Sequence, residues 1–222
     1  MGPAVRRDAD PARVLVATTN RDKLREIRAL LADVPVELVG LTDLPPVPEP
    51  EETGASFVDN ARLKALYYDR HLADAARGSG RTLFTVAEDS GLVVDALGGD
   101  PGVRSARYLG PDASYAARFA DIHRRLGDGA DRSRHARFVC ALAVASADTL
   151  VFETVGTVEG EISDAPRGGD GFGYDPIFYY PPYGRTLAEV TDEEKRRVAH
   201  RGEAFRALAR WLDGSMEVEG RM

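Results

Sequence analysis

Two adjacent carboxylates, Glu88 and Asp89, follow the apolar run at residues 83–87 and precede Ser90 and Gly91, which suit a turn. Carboxylates at the end of a buried strand can hold a hard cation such as Mg²⁺ on a rigid support. An acidic turn followed by a glycine-rich loop explains the same residues without any ligand. The stretch therefore predicts either the edge of a metal site or a turn, and both interpretations stay open at this point.

A second polar group follows the apolar run at residues 14–18, which predicts a strand buried on both faces. Asn20 can cap a helix over residues 21–32, and the free N–H groups of a helix N-terminus attract anions. The residues that would surround a phosphate there are Thr18, Thr19, Asn20, Arg21, Asp22 and Lys23. Because the segment lacks the glycines of a P-loop, an ordinary capped helix with a surface lysine fits the pattern as well.

The composition limits the kinds of protein to which these groups can belong. The chain has 222 residues, of which 43% are hydrophobic and 29% charged, as in a globular protein with one large core. Its formal net charge of -7 argues against a surface that binds nucleic acid through clustered Lys and Arg. One cysteine, Cys140, excludes an internal disulfide, and no apolar run approaches the ~20 residues of a membrane span. We therefore expect a cytoplasmic protein without a nucleic-acid or membrane partner.

A long helical pattern runs from about residue 54 to residue 76, after a proline-rich connector at residues 44–52. Ser56, Asn60 and Lys64 repeat every four residues on one face of this helix. Such a polar row fits a surface that faces a ligand or one that faces solvent. The connector is a candidate hinge between two lobes.

The second half of the chain predicts two long antiparallel strands, over residues 135–147 and 150–158, and then a loop at residues 160–170. A final amphipathic helix follows, and Gly214 is predicted to stop it. Together with the earlier elements, these segments indicate a mixed α/β body.

Five groups of residues, in chain order, resemble the motifs of the inosine and xanthosine triphosphate pyrophosphatases, which remove noncanonical purine nucleotides. The groups are Thr18, Thr19 and Asn20 with Lys23 and Glu26; Thr53 and Gly54 with Phe57, Asn60, Ala61 and Lys64; residues 88–92 with Gly98, Gly99, Pro101, Gly102 and residues 105–108; residues 171–176 with Phe178; and Ala188 and Glu189 with Glu194, Lys195, His200, Arg201 and Gly202. Each group alone is modest evidence, but their order and spacing over residues 13–212 identify the chain as a member of that family.

The resemblance implies one elongated, two-lobed domain over residues 13–213. Its fold would be mixed α/β, with a long central sheet flanked by helices and a nucleotide cleft between the lobes. Residues 1–12 would be a flexible extension and residues 214–222 a C-terminal tail. A homodimer is also implied by the family.

The same resemblance implies hydrolysis of a noncanonical purine nucleoside triphosphate, such as ITP, dITP or XTP, to the monophosphate and pyrophosphate. Asp89 would be the catalytic residue, and Asp89 and Glu52 would hold Mg²⁺ against the phosphates. The lysines that would neutralise the triphosphate are Lys23, Lys64 and Lys195. Many bacterial relatives carry Asp at the position of Glu88, so its role as metal ligand or as support stays open.

Base selectivity would depend on the purine 6-position, where inosine and xanthosine carry a keto oxygen and adenine an amino group. Donors from His200 or Arg201 would pair with the keto oxygen, and adenine would leave them unpaired. Phe172 would stack on the ring. The other residues expected to bind the substrate are Ser90, Gly173, Tyr174 and Asp175.

Two other functions stay open on the sequence. A related pyrophosphatase could act on pyrimidine or modified nucleotides, which a panel of substrates would distinguish. The second alternative is a nucleotide sensor that has lost catalysis. The retained residues that argue against this loss are Asp89, Lys23, Lys64, Lys195 and His200.

Overall fold

One mixed sheet of seven strands forms the centre of the molecule, in the order β2-β1-β3-β4-β5-β6-β7. The computed structural model describes residues 11–77, 81–129 and 133–219. The strands are β1 (Arg13–Val16), β2 (Glu37–Gly40), β3 (Leu83–Val94), β4 (His135–Ser146), β5 (Thr149–Ile162), β6 (Phe178–Tyr180) and β7 (Arg185–Thr186). Strand β1 pairs in parallel with β2 and β3, and the pairs from β3 to β7 are antiparallel. The expected mixed α/β fold is therefore confirmed.

Helices cover both faces of this sheet. They are α1 (Arg21–Leu30), α2 (Phe57–Arg77), α3 (Tyr115–Asp128), α4 (Asp192–Val198) and α5 (His200–Glu219). Val14 of β1 packs in one apolar cluster with Ile27 of α1 and Phe205 of α5. Its neighbour Leu15 packs in another cluster with Ala65 of α2. Because adjacent strand residues point to opposite faces, α1 and α5 lie on one side of the sheet and α2 lies on the other.

A third apolar cluster lies at the far end of the long strands. Leu92 of β3, Phe138 of β4 and Val158 of β5 pack there with Phe119 of α3. Residues 88–91 fall between this cluster and the two clusters around α1, α2 and α5. The separation of the cores agrees with the two lobes that the resemblance implies, and it leaves the paired carboxylates between them.

The turn predicted at Ser90 and Gly91 is wrong, because β3 continues through both residues to Val94. Strand β4 pairs with β3 along this whole stretch, so its hydrogen bonds override the local preference for a turn. A Cβ atom at Gly91 would lie 2.3 Å from the Ser105 Oγ atom. Glycine is therefore required there by the close approach of another segment and not by a change in chain direction.

Apart from the end of β3, most predicted boundaries lie within a few residues of those observed, and two further errors are larger. Strand β5 extends to Ile162, where a loop was expected from residue 160. Helix α5 continues through Gly214 to Glu219, so the predicted stop is wrong. A glycine costs a helix only about 1 kcal/mol, and the buried Leu208 and Leu212 of α5 offset that cost.

The terminal segments are only partly described. Residues 1–10 of the expected extension and residues 220–222 of the expected tail lie outside the described residues. Ala12 is buried, and its carbonyl accepts a hydrogen bond from the Glu37 N–H. Among the helices that the structure describes, none is long and apolar enough to cross a membrane.

Candidate active site

Two adjoining pockets lie between the lobes, with cavity volumes of about 90 Å³ and 390 Å³. We call the smaller one the ring pocket; its lining includes Ser90, Tyr115, Phe138, Phe172, Gly173, Tyr174, Asp175, Lys195, His200 and Arg201. We call the larger one the lysine pocket; its lining includes Thr18, Thr19, Glu49, Glu52, Lys64, Glu88 and Arg107. Asn20, Lys23 and Ala106 line both pockets, so the two form one continuous cleft.

The start of α1 forms the junction of the two pockets. The Asn20 Oδ1 atom accepts hydrogen bonds from the Asp22 N–H at 2.9 Å and the Lys23 N–H at 3.1 Å, which confirms Asn20 as the helix cap. The Lys23 Nζ atom lies 3.4 Å from a Glu88 oxygen. The parallel pairing of β1 with β3 brings these elements together, since Val16 at the end of β1 pairs with Val86, two residues before Glu88.

Arg21 and Asp22 are not brought into either pocket, contrary to the sequence prediction. Asp22 pairs with Arg25 at 3.0 Å, one turn along α1. Arg21 lines a separate apolar groove with Pro45 and Pro46. Helix geometry explains the error, since consecutive residues at a helix start point in different directions.

Glu88 and Asp89 point to opposite faces of the sheet, because they are neighbours within a strand and not parts of a turn. Glu88 points toward α1 and α5, where it meets Lys23 and Arg201. Asp89 points toward α2, where it meets Lys64. The two carboxylates therefore do not converge on one point in the structure.

Asp89 is held by two side chains of α2. Its Oδ1 atom lies 3.0 Å from the Lys64 Nζ atom, and its Oδ2 atom accepts from the Asn60 Nδ2 atom at 3.1 Å. The Asn60 Oδ1 atom accepts from the Gly54 N–H at 2.8 Å, which fixes the orientation of the amide. Burial raises the pKa of Asp89 above its ordinary value, and Glu52 adds to this effect while Lys64 opposes it.

Glu52 shares Lys64 with Asp89. Its Oε1 atom lies 2.9 Å from the Lys64 Nζ atom, and its Oε2 atom accepts from Arg107 at 2.6 Å. Burial by itself would raise the pKa of Glu52, but the two cations lower it below the ordinary value. Two carboxylates thus converge on one ammonium group in the lysine pocket.

Glu88 forms a buried ion cluster with Arg201 and Glu26. Arg201 donates from Nε to the Glu88 Oε1 atom at 2.9 Å and from Nη1 to the Glu26 Oε2 atom at 2.6 Å. Burial opposes the charge on Glu88, but Arg201 and Lys23 hold its pKa far below the ordinary value. The open role of Glu88 is therefore best described as support for Arg201, whose Nη2 atom also bonds the Ser90 Oγ atom at 3.1 Å.

Lys195 lies in the ring pocket and not beside Lys64, so the structure does not bring the three predicted lysines together. Its Nζ atom lies 2.6 Å from the Asp175 Oδ2 atom, 2.8 Å from the Glu26 Oε1 atom and 4.5 Å from the centre of the Phe172 ring. Burial raises the pKa of Asp175, although Lys195 opposes the change. Lys195 is thus fixed as a donor beside a ring-binding surface.

His200 is the first residue of α5 and lies at the end of the ring pocket. Its ring stacks on Phe138 with centroids 4.9 Å apart, and its Nδ1 atom is buried without a hydrogen-bond partner. Burial and the neighbouring Arg201 hold the pKa of His200 well below its ordinary value, which favours the uncharged ring. A buried unpaired ring nitrogen beside an open pocket is available to a ligand.

The ring pocket also contains the other residues that the sequence predicted to bind the substrate, including Gly173 and Tyr174. The Tyr174 hydroxyl donates to the Ser105 carbonyl at 2.9 Å, and Gly173 adopts a φ of 66° beside it. Sequence reasoning quoted Asn60 and Glu26 in the motifs without assigning either one a role. It missed Tyr115 altogether, because nothing in a helix-start sequence signals that its ring reaches the pocket.

The chain is similar to known proteins over most of its length. Residues 14–211 match the Ham1 family. The chain is 45% identical over 195 residues to a dITP/XTP pyrophosphatase of Geobacillus kaustophilus, covering 88% of this chain and 91% of that protein. It is 47% identical over 202 residues to a dITP/XTP pyrophosphatase of Syntrophobacter fumaroxidans, covering 90% and 82%.

Solved structures of Ham1 proteins and of a dITP/XTP pyrophosphatase have a similar fold. A Ham1 protein from Coxiella burnetii superposes with a TM-score of 0.79 at 38% identity, covering 91% of this chain and 99% of that one. A dITP/XTP pyrophosphatase from Mycobacterium abscessus gives a TM-score of 0.68 at 44% identity, covering 88% and 98%. On sequence and fold, this chain belongs to the Ham1 family.

Proposed function

We propose that this protein hydrolyses the noncanonical purine nucleoside triphosphates ITP, dITP and XTP to the monophosphate and pyrophosphate, and that it does so in the cytoplasm. The observation that carries the proposal is the junction of two unlike pockets at Asn20 and Lys23. One pocket suits a flat ring and the other suits a chain of phosphates, with Asp89 beside the second. The names of the relatives support the same activity.

The lysine pocket fits Mg²⁺, although the described residues contain no cluster of three or more metal-binding side chains. Mg²⁺ is usually held by one or two carboxylates together with waters and substrate phosphates. Glu52 and Asp89 provide two carboxylates that already share one cation, Lys64. We assign Glu52 and Asp89 as the ligands, and the ion would supply charge neutralisation at the phosphate oxygens.

The residues of the lysine pocket account for attack at the α-phosphorus. Asp89 orients the attacking water and accepts its proton as the new bond forms, and Asn60 and Lys64 hold the carboxylate in place. The water oxygen bonds to the α-phosphorus while the bond from this phosphorus to the bridging oxygen breaks. Lys23 and Lys64 stabilise the charge that develops on the departing pyrophosphate.

The ring pocket accounts for the rejection of adenine. Phe172 offers an aromatic face, and Arg201 and Lys195 lie against it with their positions fixed by buried carboxylates. Their N–H groups donate to the 6-keto oxygen of hypoxanthine or xanthine. The amino group of adenine offers no acceptor there, and a site whose buried donors stay unpaired rejects such an analogue strongly.

The proposal is tested by identifying the first product that the protein releases from each nucleotide. Purified protein with Mg²⁺ should release pyrophosphate from ITP and XTP much faster than from ATP or GTP, and chelation by EDTA should abolish the release. Orthophosphate as the initial product would contradict attack at the α-phosphorus. Equal rates with ATP would remove the base selectivity from the proposal.

We also propose that the protein is a homodimer. Strand β6 pairs with β5 only at Glu161 and Ile162, so the outer edge of β5 before them has no strand partner among the described residues. Val151 and Val155 on this stretch are 41% and 48% exposed. A long edge with exposed apolar side chains favours addition of another strand. Analytical ultracentrifugation tests the proposal, and a monomer at all concentrations would reject it.

A further inference from the structure

Arg118 is a buried cation without a carboxylate partner in the part of the chain that the structure describes. Its side chain is 3% exposed. Nη1 donates to the Ser105 carbonyl at 3.4 Å, Nη2 donates to the Gly110 carbonyl at 3.3 Å, and Nε has no hydrogen-bond partner. A buried charge with only long bonds to neutral acceptors stabilises the fold poorly. Its place in the first turn of α3 is also unfavourable, because a helix N-terminus is itself positive.

Arg118 lies directly behind one wall of the ring pocket. Its Cζ atom is 4.8 Å from the centre of the Tyr115 ring. Tyr115 meets Tyr174 edge to face at 5.4 Å, and both side chains line the pocket. We call these two residues the tyrosine wall. Tyr174 is 3% exposed but Tyr115 is 40% exposed, so solvent screens the Arg118 charge in part, and at this range the charge still acts on a ligand in the pocket.

The other charges of the ring pocket balance one another. Its cations are Lys23, Lys195 and Arg201, and the carboxylates that they contact are Glu88, Asp175 and Glu26. These three positive and three negative groups sum to zero when all are ionised. Arg118 therefore adds the one positive charge that no carboxylate in contact with it offsets among the described residues.

We propose that Arg118 is a specificity-determining residue, whose uncompensated charge makes the ring pocket favour a purine base that carries negative charge. The inference rests on the proposed function and refines its substrate class. Xanthine has carbonyl groups at C2 and C6 and loses a ring proton far more readily than hypoxanthine, which has only one. Arg118 thus favours XTP over ITP, whereas Arg201 and Lys195 bind the keto oxygen that both bases share.

Two substitutions separate the charge from the hydrogen bonds. Arg118→Met removes the charge at similar length, and Arg118→Lys keeps it. The readout is the ratio of kcat/KM for XTP to kcat/KM for ITP, measured as pyrophosphate release. We expect the ratio to fall roughly tenfold in Arg118→Met, the size expected for one unit charge at a partly screened site, and to stay near the original in Arg118→Lys. Arg124→Met is the matched control, since Arg124 lies on the same helix with a side chain 62% exposed.

An unchanged ratio in Arg118→Met would overturn the inference, and an equal fall in both variants would assign the effect to hydrogen bonding instead of charge. Pyrophosphate release from ITP by the unmodified protein tests the proposed function separately. If that release is present and the ratio does not respond, only the inference fails. If it is absent, the proposed function itself fails.

Product binding to the unmodified protein gives a test that does not depend on folding of the variants. The titratable groups that face Arg118 are Tyr115 on its own helix and Tyr174 opposite, while Ser105 and Gly110 present carbonyls. Calorimetry should show that the preference for XMP over IMP shrinks as the pH falls and xanthine becomes neutral. IMP corrects for titration of the protein. A preference that is constant or grows on acidification would reject the proposal.

Discussion

The two pockets hold their cations in different ways. In the ring pocket, Arg201 and Lys195 are 2% and 5% exposed at the side chain, and each meets two carboxylates. In the lysine pocket, the Lys64 and Glu52 side chains are 13% and 25% exposed. Glu52 and Asp89 both pair with Lys64, and solvent can reach this cluster. Donors fixed in a buried network discriminate between rings, because they cannot move to suit the wrong one. Groups that remain accessible can exchange partners when phosphates and water arrive.

Asp89→Asn is expected to have the largest effect and to act on the lysine pocket alone. The amide keeps the size of the side chain but cannot accept a proton or bind a cation as a carboxylate does, so kcat should fall about 10³-fold. Steady-state kinetics with ITP would measure the loss, and thermal melting would confirm the fold. Asp95→Asn, at an exposed position just after β3, is the control. Near-normal turnover would remove Asp89 from the reaction.

Glu88→Gln is expected to destabilise the fold, since it leaves Arg201 with less negative charge in a buried site. The loss should be about 3 kcal/mol at neutral pH by urea denaturation. The pKa of Glu88 in the folded state lies below its ordinary value of 4.5. Its contribution to the free energy of unfolding is therefore complete above pH 4.5, and it is lost as the pH falls from 4.5 toward the pKa of the folded state. The difference between the two proteins should therefore shrink in acid. A difference that grows in acid would contradict the assigned role.

His200→Ala is expected to narrow discrimination between ITP and ATP by about tenfold, through loss of a polar group in the ring pocket. The change should appear in the ratio of kcat/KM values for the two substrates, with little change in pyrophosphate as the product. His135→Ala, at an exposed position that starts β4, is the matched control. An unchanged ratio would show that His200 only packs against Phe138.

Arg62→Met is expected to have the smallest effect. Arg62 lies two residues before Lys64 on α2 but pairs with Glu153 at the surface. Exposed ion pairs contribute little to stability, so the melting temperature and kcat/KM for ITP should stay within experimental error. A clear loss of activity would mean that the ion network of the lysine pocket reaches farther across α2 than the contacts indicate.

Local features of the site could be predicted from the sequence, and long-range ones could not. Asn20 was identified as a cap because the cap, the strand before it and the helix after it are all adjacent in the chain. The contact of Glu88 with Arg201 joins residues 113 positions apart, and no rule of sequence spacing predicts it. The same limit explains why Lys195 was assigned to the phosphates and not to the ring pocket.

The error at Ser90 and Gly91 has a different origin. Both residues favour a turn when they are considered alone. Their conformation is decided by β4, which pairs Ser90 with Cys140 and Gly91 with Val139. Tertiary pairing overrides local preference most easily at a glycine, which has no side chain to resist either state. The functional role of the two carboxylates stays a prediction, while the turn predicted directly after them is wrong.

Side chains along β3 point alternately to the two faces of the sheet, so a substitution and an insertion in this strand have different consequences. A substitution at Glu88 or Asp89 removes the contacts on one face of the sheet and leaves the other carboxylate in place on the opposite face. A slip of β3 by one residue against β4 would exchange the faces of both acids at once, because side chains alternate along a strand. Single-residue insertions or deletions just upstream in β3 are therefore the lesions that this architecture tolerates least.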